Sequence, residues 1–288
     1  MMMGLFINTN VQSLNAQRML GMNNSNLAGT MTRLSSGLRI NRASDDAAGL
    51  SISEKMRSQI RGSQQANSNV QDAVNLLNTA DGALDTITSN LQRMRELAVQ
   101  GSSEVMGAEQ RSAINLELSQ LKSDISRIAK ATTFNDKTLL DGSVSSLKVQ
   151  LGAGSDSAVD VLNIGQGNIF TDSTMSGLSG GKLKGGPTAG SVTNMASALQ
   201  TISALDASLK TLNNRRASIG AMTNRLQGAS ANLNITVENM SASESRIRNA
   251  DIAKESATLA KYQVLTQAST SILSQANQSS QAATRLLG

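Results

Sequence analysis

Residues 202–240 read ISALDASLKTLNNRRASIGAMTNRLQGASANLNITVENM, and their large apolar residues recur at every seventh position. The six positions of this repeat are Leu205, Leu212, Ile219, Leu226, Leu233 and Met240. A seven-residue repeat aligns apolar side chains in a narrow seam along one face of a helix. Because such a seam packs against another helix, this stretch predicts a long helix in a bundle or coiled coil.

Two further stretches carry a similar seam and predict two more helices. The first runs from about 53 to 100, and its seven-residue repeat consists of Val70, Leu77, Leu84, Leu91 and Ala98. The second runs from about 108 to 132, and its apolar positions, in steps of four and three, are Ile114, Leu118, Leu121, Ile125 and Ile128. At ~1.5 Å per residue the first of these helices is about 70 Å long, which predicts a rod.

The two chain ends carry thinner versions of the seam. Residues 10–36 are predicted to form a helix with an apolar stripe of Leu20, Leu27 and Leu34, which Met31 and Leu38 extend. A last helical segment, 244–285, has the stripe Leu259, Tyr262, Leu265, Ala268, Ile272 and Ala276. Ser241, with Glu244 three residues later, has the pattern of a helix start and predicts where this segment begins. Gly37 is predicted to end the helix over 10–36. Residues 37–52 are predicted to form a turn and a short helix restart, which Ser44 or Asp45 caps.

The middle of the chain has a different composition. Residues 147–151 and 159–164 alternate apolar and polar residues around a glycine-containing link, which predicts a β-hairpin. Residues 177–190 are rich in glycine and are predicted to be flexible and exposed. The predicted fold is therefore mainly α: an elongated antiparallel helical bundle or coiled coil with a small β-hairpin region at the turnaround.

The composition excludes several classes of chemistry. The 288 residues include no His and no Cys, so imidazole and thiolate chemistry, metal sites of those ligands and disulfides are excluded. Aromatic residues make up 1% of the chain, which argues against a thick globular core. We predict no catalytic, cofactor or metal site, and we expect that the protein is not an enzyme.

Charge and hydropathy limit the predicted partners. The net charge is +5, but the basic residues are dispersed along the predicted helices, so we expect no nucleic acid partner. No apolar run reaches the roughly 18 residues of a membrane span, so we expect no membrane insertion. The first residues, MMMGLFIN, lack the positive charge of a secretory signal, so an extracellular protein of this sequence is expected to leave the cell by another route.

The polar composition of the chain ends predicts that they fold conditionally. Residues 8–30 and 266–284 are rich in Asn, Gln, Ser and Thr. Burial of apolar area stabilises a fold by about 25 cal/mol per Å², and an isolated pair of such helices buries little of it. Fixing the conformation of each residue costs about 1–2 kcal/mol in conformational entropy. We therefore expect the ends to be disordered in the monomer and to fold when other copies supply contacts.

Several motifs together resemble the bacterial flagellin family. In the first half they are INTN (7–10), LNAQR (14–18), RLSSGLRIN (33–41), DDAAGL (45–50), LQRMRELAVQ (91–100), TFN (133–135) and LDG (140–142). In the second half they are SRIRNAD (245–251) and the closing LL (286–287). The resemblance covers roughly 1–142 and 192–288. It implies a flagellar filament subunit in the family's short form, because the middle has no room for the outer domains of longer flagellins.

The resemblance also implies a domain plan and a route to the cell exterior. Residues 1–52 and 244–288 correspond to the terminal coiled-coil domain and its linker, 53–142 and 192–243 to the two halves of a helical rod, and 143–191 to the hairpin turnaround. The protein is expected in the extracellular filament, exported through the flagellar machinery without a cleaved signal peptide. The implied partners are other copies of the chain, an export chaperone, the junction and cap proteins, and a host innate immune receptor.

Two sets of residues are the candidate sites. Filament assembly is assigned to the terminal stripes: Leu20, Leu27, Met31, Leu34, Leu38, Leu259, Leu265, Ile272 and Leu286. The family's receptor-binding patch aligns with Arg93, Leu97 and Glu117, although Leu97 is as readily explained as a packing residue of the rod.

Three alternatives to a filament subunit remain open on the sequence alone. A hook–filament junction or cap protein would have similar chain ends. A cytosolic coiled-coil signalling rod would have longer uninterrupted heptads and no β-rich turnaround. Nucleic-acid binding would use the basic ends.

Overall fold

The computed structural model describes residues 9–142, 146–164 and 191–285, with the backbone alone described for 280–285. The described chain forms helices α1 (Val11–Ser36), α2 (Ala47–Gly101), α3 (Ala108–Ala131), α4 (Met195–Arg248) and α5 (Ile252–Arg285). It also forms strands β1 (Thr133–Phe134), β2 (Lys137–Thr138), β3 (Lys148–Gln150) and β4 (Val161–Asn163). The predicted mainly α class is confirmed. No described helix is both long enough and apolar enough to cross a membrane.

The chain divides into two compact units. We call the unit that contains residues up to 58 and from 239 onward the terminal unit, and the unit of residues 59–238 the central unit. The terminal unit holds α1, α5 and the adjoining ends of α2 and α4. The central unit holds α3, all four strands and most of α2 and α4.

The predicted seams form the core of the central unit. Leu205, Leu212, Ile219 and Leu226 of α4 are at most 3% exposed, and Leu233 packs at the edge of the same cluster. The α2 repeat is buried from Val70 to Ala98, and α3 adds Ile114, Leu118 and Ile125. The seven-residue repeat is thus satisfied within the chain.

Ion pairs fix the antiparallel alignment of α2 and α4. Arg216 contacts Asp81 at 2.9 Å and Asp85 at 2.7 Å, and Arg95 contacts Asp206 at 2.7 Å. Positions later in α2 therefore meet positions earlier in α4. These pairs are partly exposed, so they contribute to alignment more than to stability.

Two small antiparallel hairpins complete the described part of the central unit. Strands β3 and β4 pair in the predicted hairpin, with Val149 opposite Leu162. This hairpin lies against α2, because the Asn69 side chain donates a hydrogen bond to the Gln150 carbonyl at 3.4 Å. Strands β1 and β2 were not predicted; their two-residue turn places Asn135 and Asp136 at positive φ, as tight hairpin turns require. The glycine-rich stretch 177–190 lies outside the described residues.

The side chain of Asn115 holds Val192, which lies just before the start of α4. Val192 is fully buried, and its N–H and C=O both bond to Asn115, at 2.6 Å and 3.1 Å. The Asn115 amide thus satisfies both backbone polar groups of Val192. Gly101 allows this packing, because a Cβ there would lie 2.4 Å from Val192 Cγ1.

The substitution Asn115→Ala should therefore destabilise the central unit. It leaves a buried N–H and C=O without partners, which costs about 1–3 kcal/mol in the free energy of unfolding. Urea unfolding followed by circular dichroism measures the loss. Ser112→Ala, at an exposed position of the same helix, is the control and should leave the midpoint unchanged. An Asn115→Ala midpoint equal to that of the control would contradict this account.

Two predicted helix boundaries are wrong. Ser241 and Glu244 do not start a helix, because α4 continues to Arg248 and the Ser243 hydroxyl bonds to the Asn239 carbonyl inside it. The break falls at 249–251, where Asp251 accepts from the N–H groups of Ala253 and Lys254. A capping sequence in mid-helix is overridden when packing continues the helix through it.

Helix α2 likewise starts earlier than predicted: the restart expected within 37–52 and the long helix expected from about 53 are one helix, which begins at Ala47. Its cap is Asp46, which accepts from the Gly49 N–H at 2.9 Å. The predicted caps, Ser44 and Asp45, do not fill this role: Asp45 accepts from the N–H groups of Asn41 and Arg42 and closes the preceding turn. The prediction that Gly37 ends α1 is confirmed, since Gly37 is its left-handed C-cap with φ of 70°.

Candidate assembly surface of the terminal helices

Helices α1 and α5 lie side by side and antiparallel in the terminal unit. Their contacts are polar along much of their length. Near one end, Asn10 donates to the Ala276 carbonyl at 3.0 Å, and farther along Asn23 donates to the Ser269 hydroxyl at 2.9 Å. Near the other end, Arg33 and Glu255 form an ion pair at 3.5 Å.

The pair has almost no apolar core of its own. The side chains of α1 and α5 that are described as buried are small or polar: Ala16, Thr30, Ser269 and Ala276. The larger residues Leu20, Leu27, Leu34 and Leu259 are only half-buried. Each half-buried leucine leaves apolar area in contact with water, so the pair alone gains less than a closed coiled coil does.

Large apolar side chains on both helices are exposed. On α1 they are Val11, Leu14, Met19, Met22 and Met31, each more than half exposed, and on α5 they are Ile252, Val264, Leu265 and Ile272. Single exposed apolar residues are ordinary, but a series along two paired helices marks a surface that another chain can cover.

Part of this exposed surface is an open groove between the two helices, with a volume of about 490 Å³. We call it the terminal groove; its walls include Met19 on α1 and Ile272 on α5, above Ala16 and Ala276. Small residues at the bottom and larger apolar residues on the walls form a slot for an apolar side chain.

A cluster of backbone pairings, which we call the clasp, joins the two breaks between helices. The Arg39 N–H donates to the Arg248 carbonyl at 2.7 Å, and the Ala250 N–H donates to the Gly37 carbonyl at 2.9 Å. The Arg248 guanidinium then donates to Glu54 of α2 at 2.5 Å. The clasp therefore ties the end of α1 and the end of α4 to the start of α2.

The clasp should loosen in acid. The Arg248 guanidinium lowers the pKa of Glu54 below its ordinary 4.5, and the Arg42 and Asn41 N–H groups lower the pKa of Asp45 below 3.8. A lowered pKa in the folded state means that each carboxylate stabilises the fold above its ordinary pKa and loses that contribution as pH falls. We expect hydrogen exchange at Arg39 and Ala250, corrected for intrinsic rates, to quicken progressively below about pH 4.5.

The control for this pH dependence is Glu54→Gln, which keeps the side-chain shape and removes the titrating group. Part of the acid-dependent change should disappear in this variant. Protection of Arg39 and Ala250 that falls equally in both proteins would exclude Glu54 as a cause.

The structure places the predicted assembly residues in two environments. Leu20, Leu27, Leu34, Leu38 and Leu259 are half-buried within the terminal unit, whereas Met31, Leu265 and Ile272 are exposed. Leu286 lies outside the described residues. The predicted stripes do not include five exposed apolar residues of these helices: Val11, Leu14, Met19, Met22 and Val264. The sequence signal that could have identified them is a large apolar residue that lies outside the seven-residue stripe of an otherwise polar helix.

The structure brings together two of the three residues of the candidate receptor patch. Arg93 and Glu117 form an ion pair at 2.9 Å between α2 and α3, and Glu96 also contacts Arg93 at 3.2 Å. The Glu117 carboxylate, with Glu96, raises the pKa of Arg93 above its ordinary value. Leu97 is only 2% exposed and belongs to the central core, so its packing role is the one that the structure supports.

A helical protein with a closed central core, and with chain ends that pair weakly and expose apolar side chains, has the features of a self-associating structural subunit. Sequence comparison gives the family. The profile of the bacterial flagellin N-terminal helical region matches residues 7–145, and that of the C-terminal helical region matches residues 202–287. The chain belongs to the bacterial flagellin family, whose members are structural subunits of the flagellar filament.

Relatives match over nearly the whole chain. A flagellin of Halalkalibacterium halodurans is 44% identical over 283 residues, which cover 98% of this chain and 100% of the relative. Flagellin FlaB1 of Treponema pallidum is 40% identical over 300 residues, with coverages of 98% and 100%. Among solved structures, the crystal structure of Bacillus cereus flagellin is 32% identical, with a TM-score of 0.48, and the match covers 58% of this chain and 88% of that one.

Proposed function

We propose that this flagellin polymerises into the filament through the exposed apolar surface of α1 and α5. The observation that carries the proposal is the contrast between the two units: the central unit buries its seam, whereas the terminal helices leave large apolar residues exposed. Burial of those residues against neighbouring copies supplies the apolar area that the pair lacks by itself.

Assembly then drives the ordering of the chain ends. Fixing one residue costs about 1–2 kcal/mol, and the thin polar contact between α1 and α5 offsets little of this cost. Neighbouring copies that bind only the folded form shift the equilibrium toward it. We therefore propose that the ends are disordered in the free subunit and form the paired helices, lining the inner tube, when the subunit docks.

The charge distribution makes this association dependent on salt. The terminal unit has 11 basic and 6 acidic residues, a net charge of +5, whereas the central unit has 15 of each and is neutral. Terminal units that approach one another therefore repel, and salt screens this repulsion over a distance of ~8–10 Å.

Membership of the family supports a proposal for the route of export and for the other partners. We propose that the chain leaves the cell through the flagellar secretion channel, bound beforehand by a chaperone and without a cleaved signal peptide. We also propose that junction and cap proteins bind at the two ends of the filament. The Arg93–Glu117 pair is the part of the candidate immune receptor patch that has exposed side chains.

Electron microscopy after a salt jump tests the proposed polymerisation. Purified full-length protein, moved from low to moderate salt with short filament fragments as seeds, should form uniform tubes. Their mass per length, measured by scanning transmission microscopy, should be constant. A chain that stays monomeric with seeds at every salt concentration would contradict the proposal.

A further inference from the structure

Helix α1 carries three methionines whose side chains are open to solvent. Met19 is 54% exposed, Met22 is 55% and Met31 is 52%. Two methionines of the central core differ sharply, since Met94 is 1% exposed and Met222 is 7%. Among the described residues, three accessible thioethers therefore lie on α1, and one methionine of the central unit, Met195, is also exposed, at 45%.

Met19 has a specific position on the proposed assembly surface. It forms part of the α1 wall of the terminal groove, and Ile272 forms part of the facing wall. Met22 and Met31 lie on the same helix. A neighbour that covers the terminal groove therefore has to bury the Met19 sulfur atom, and neighbours that enclose α1 have to bury all three.

We propose that Met19, Met22 and Met31 are oxidation sites of the unassembled subunit, and that their conversion to methionine sulfoxide blocks polymerisation. The inference rests on the proposed function, because it takes these side chains to be buried between copies in the filament. The co-reactant is a hydroperoxide. Its terminal oxygen forms the new S=O bond, the O–O bond breaks, and the sulfur loses the two electrons that reduce hydrogen peroxide to water.

The effect on assembly follows from the polarity of the product. A sulfoxide oxygen is a strong hydrogen-bond acceptor, whereas a thioether is nearly apolar. Ala16, Ile272 and Ala276 of the terminal groove carry no side-chain donor, although the polar side chains of Gln12, Asn15, Ser269, Gln275 and Ser279 also line it. A sulfoxide that a neighbouring copy buries against the apolar part of this lining should raise the critical concentration for polymerisation about tenfold, and several should raise it further.

The assembled state should protect the same residues. Once neighbouring copies cover α1, peroxide reaches the three sulfur atoms only through subunits that dissociate. We expect oxidation of Met19, Met22 and Met31 to be at least about tenfold slower in filaments than in free subunits. The oxidation of Met94 and Met222 should be slow in both filaments and free subunits, as long as the central unit stays folded.

The experiment treats free subunits with limited hydrogen peroxide, maps sulfoxides by peptide mass spectrometry, and measures the critical concentration by sedimentation. Met19, Met22 and Met31 should be oxidised before Met94 and Met222, and polymerisation should weaken in proportion. Methionine sulfoxide reductases A and B together should restore it. The triple variant Met19→Leu, Met22→Leu, Met31→Leu should polymerise before treatment and resist the peroxide.

Two results would overturn the inference. One is unchanged polymerisation of wild-type subunits that carry all three sulfoxides; the other is equal peroxide sensitivity of wild type and triple variant. If the untreated wild-type chain forms no filaments, the proposed function itself is wrong, and the inference falls with it. If only the leucine variant fails to polymerise, reductase rescue of the oxidised wild type decides: recovery supports the inference, and no recovery contradicts it.

Discussion

Deletion of residues 252–288 is expected to abolish polymerisation and to leave the central unit folded. The deletion removes α5 after the break at 249–251, so α4 keeps its full length. Helix α1 then loses its hydrogen bonds to Ser269 and Ala276 and its ion pair with Glu255. The terminal unit then lacks the α5 part of the proposed assembly surface, and α1 lacks the partner helix that orders it.

The central unit should not sense this deletion. Its core is drawn from α2, α3, α4 and the hairpins, all between residues 59 and 238. The thermal midpoint by circular dichroism should stay within about 2 °C of that of the full chain, because no core contact is lost. Sedimentation with filament seeds then measures assembly. Filaments built from the truncated chain would contradict the assignment of assembly to α1 and α5.

A pair of double substitutions tests the apolar surface without removing any part of the chain. Leu27→Asp with Leu34→Asp places two carboxylates in the half-buried stripe of α1 and should also abolish polymerisation. Asn24→Asp with Ser35→Asp adds the same charge at exposed positions of the same helix. This control should polymerise far better than the leucine variant. Equal loss in both variants would indicate that added charge, not apolar burial, is the cause.

The predictability of the fold differs between the two units for a physical reason. In the central unit the seam from Leu205 to Leu226 is complete, and one periodic signal determines both the helix and the face that it buries. The α5 stripe was less informative: Tyr262 is half-buried and Ala276 is buried, whereas Leu265 and Ile272 are exposed. The spacing of apolar residues in one sequence does not distinguish a helix face that is buried within the chain from a face that only another copy would bury.

The helix ends were the weakest part of the prediction. The pattern at Ser241 has the residue types of a helix start, yet the structure uses Asp251. The two sites differ in what surrounds them, because the chain at 249–251 is held by backbone bonds to residues 37–39 of a distant segment. Such long-range pairing is invisible to a local capping rule.

The last prediction concerns the residues aligned with the receptor patch, and it separates packing from recognition. Leu97→Ala should lower the free energy of unfolding of the central unit by about 2–5 kcal/mol, because it opens a cavity in the core where Leu97 is 2% exposed. Arg93→Ala removes an exposed ion pair with Glu117 and should leave the unfolding midpoint nearly unchanged. Guanidinium unfolding of the two variants measures both effects.

Receptor binding by the same two variants then distinguishes a direct contact from an indirect one. If the patch binds through exposed side chains, Arg93→Ala should weaken binding of a folded protein, and Leu97→Ala should weaken it only as far as it unfolds the central unit. Leu97→Val, a smaller change in volume, should lose less stability than Leu97→Ala and retain binding. A Leu97→Ala protein with wild-type stability and no binding would place Leu97 on the surface and contradict the packing described here.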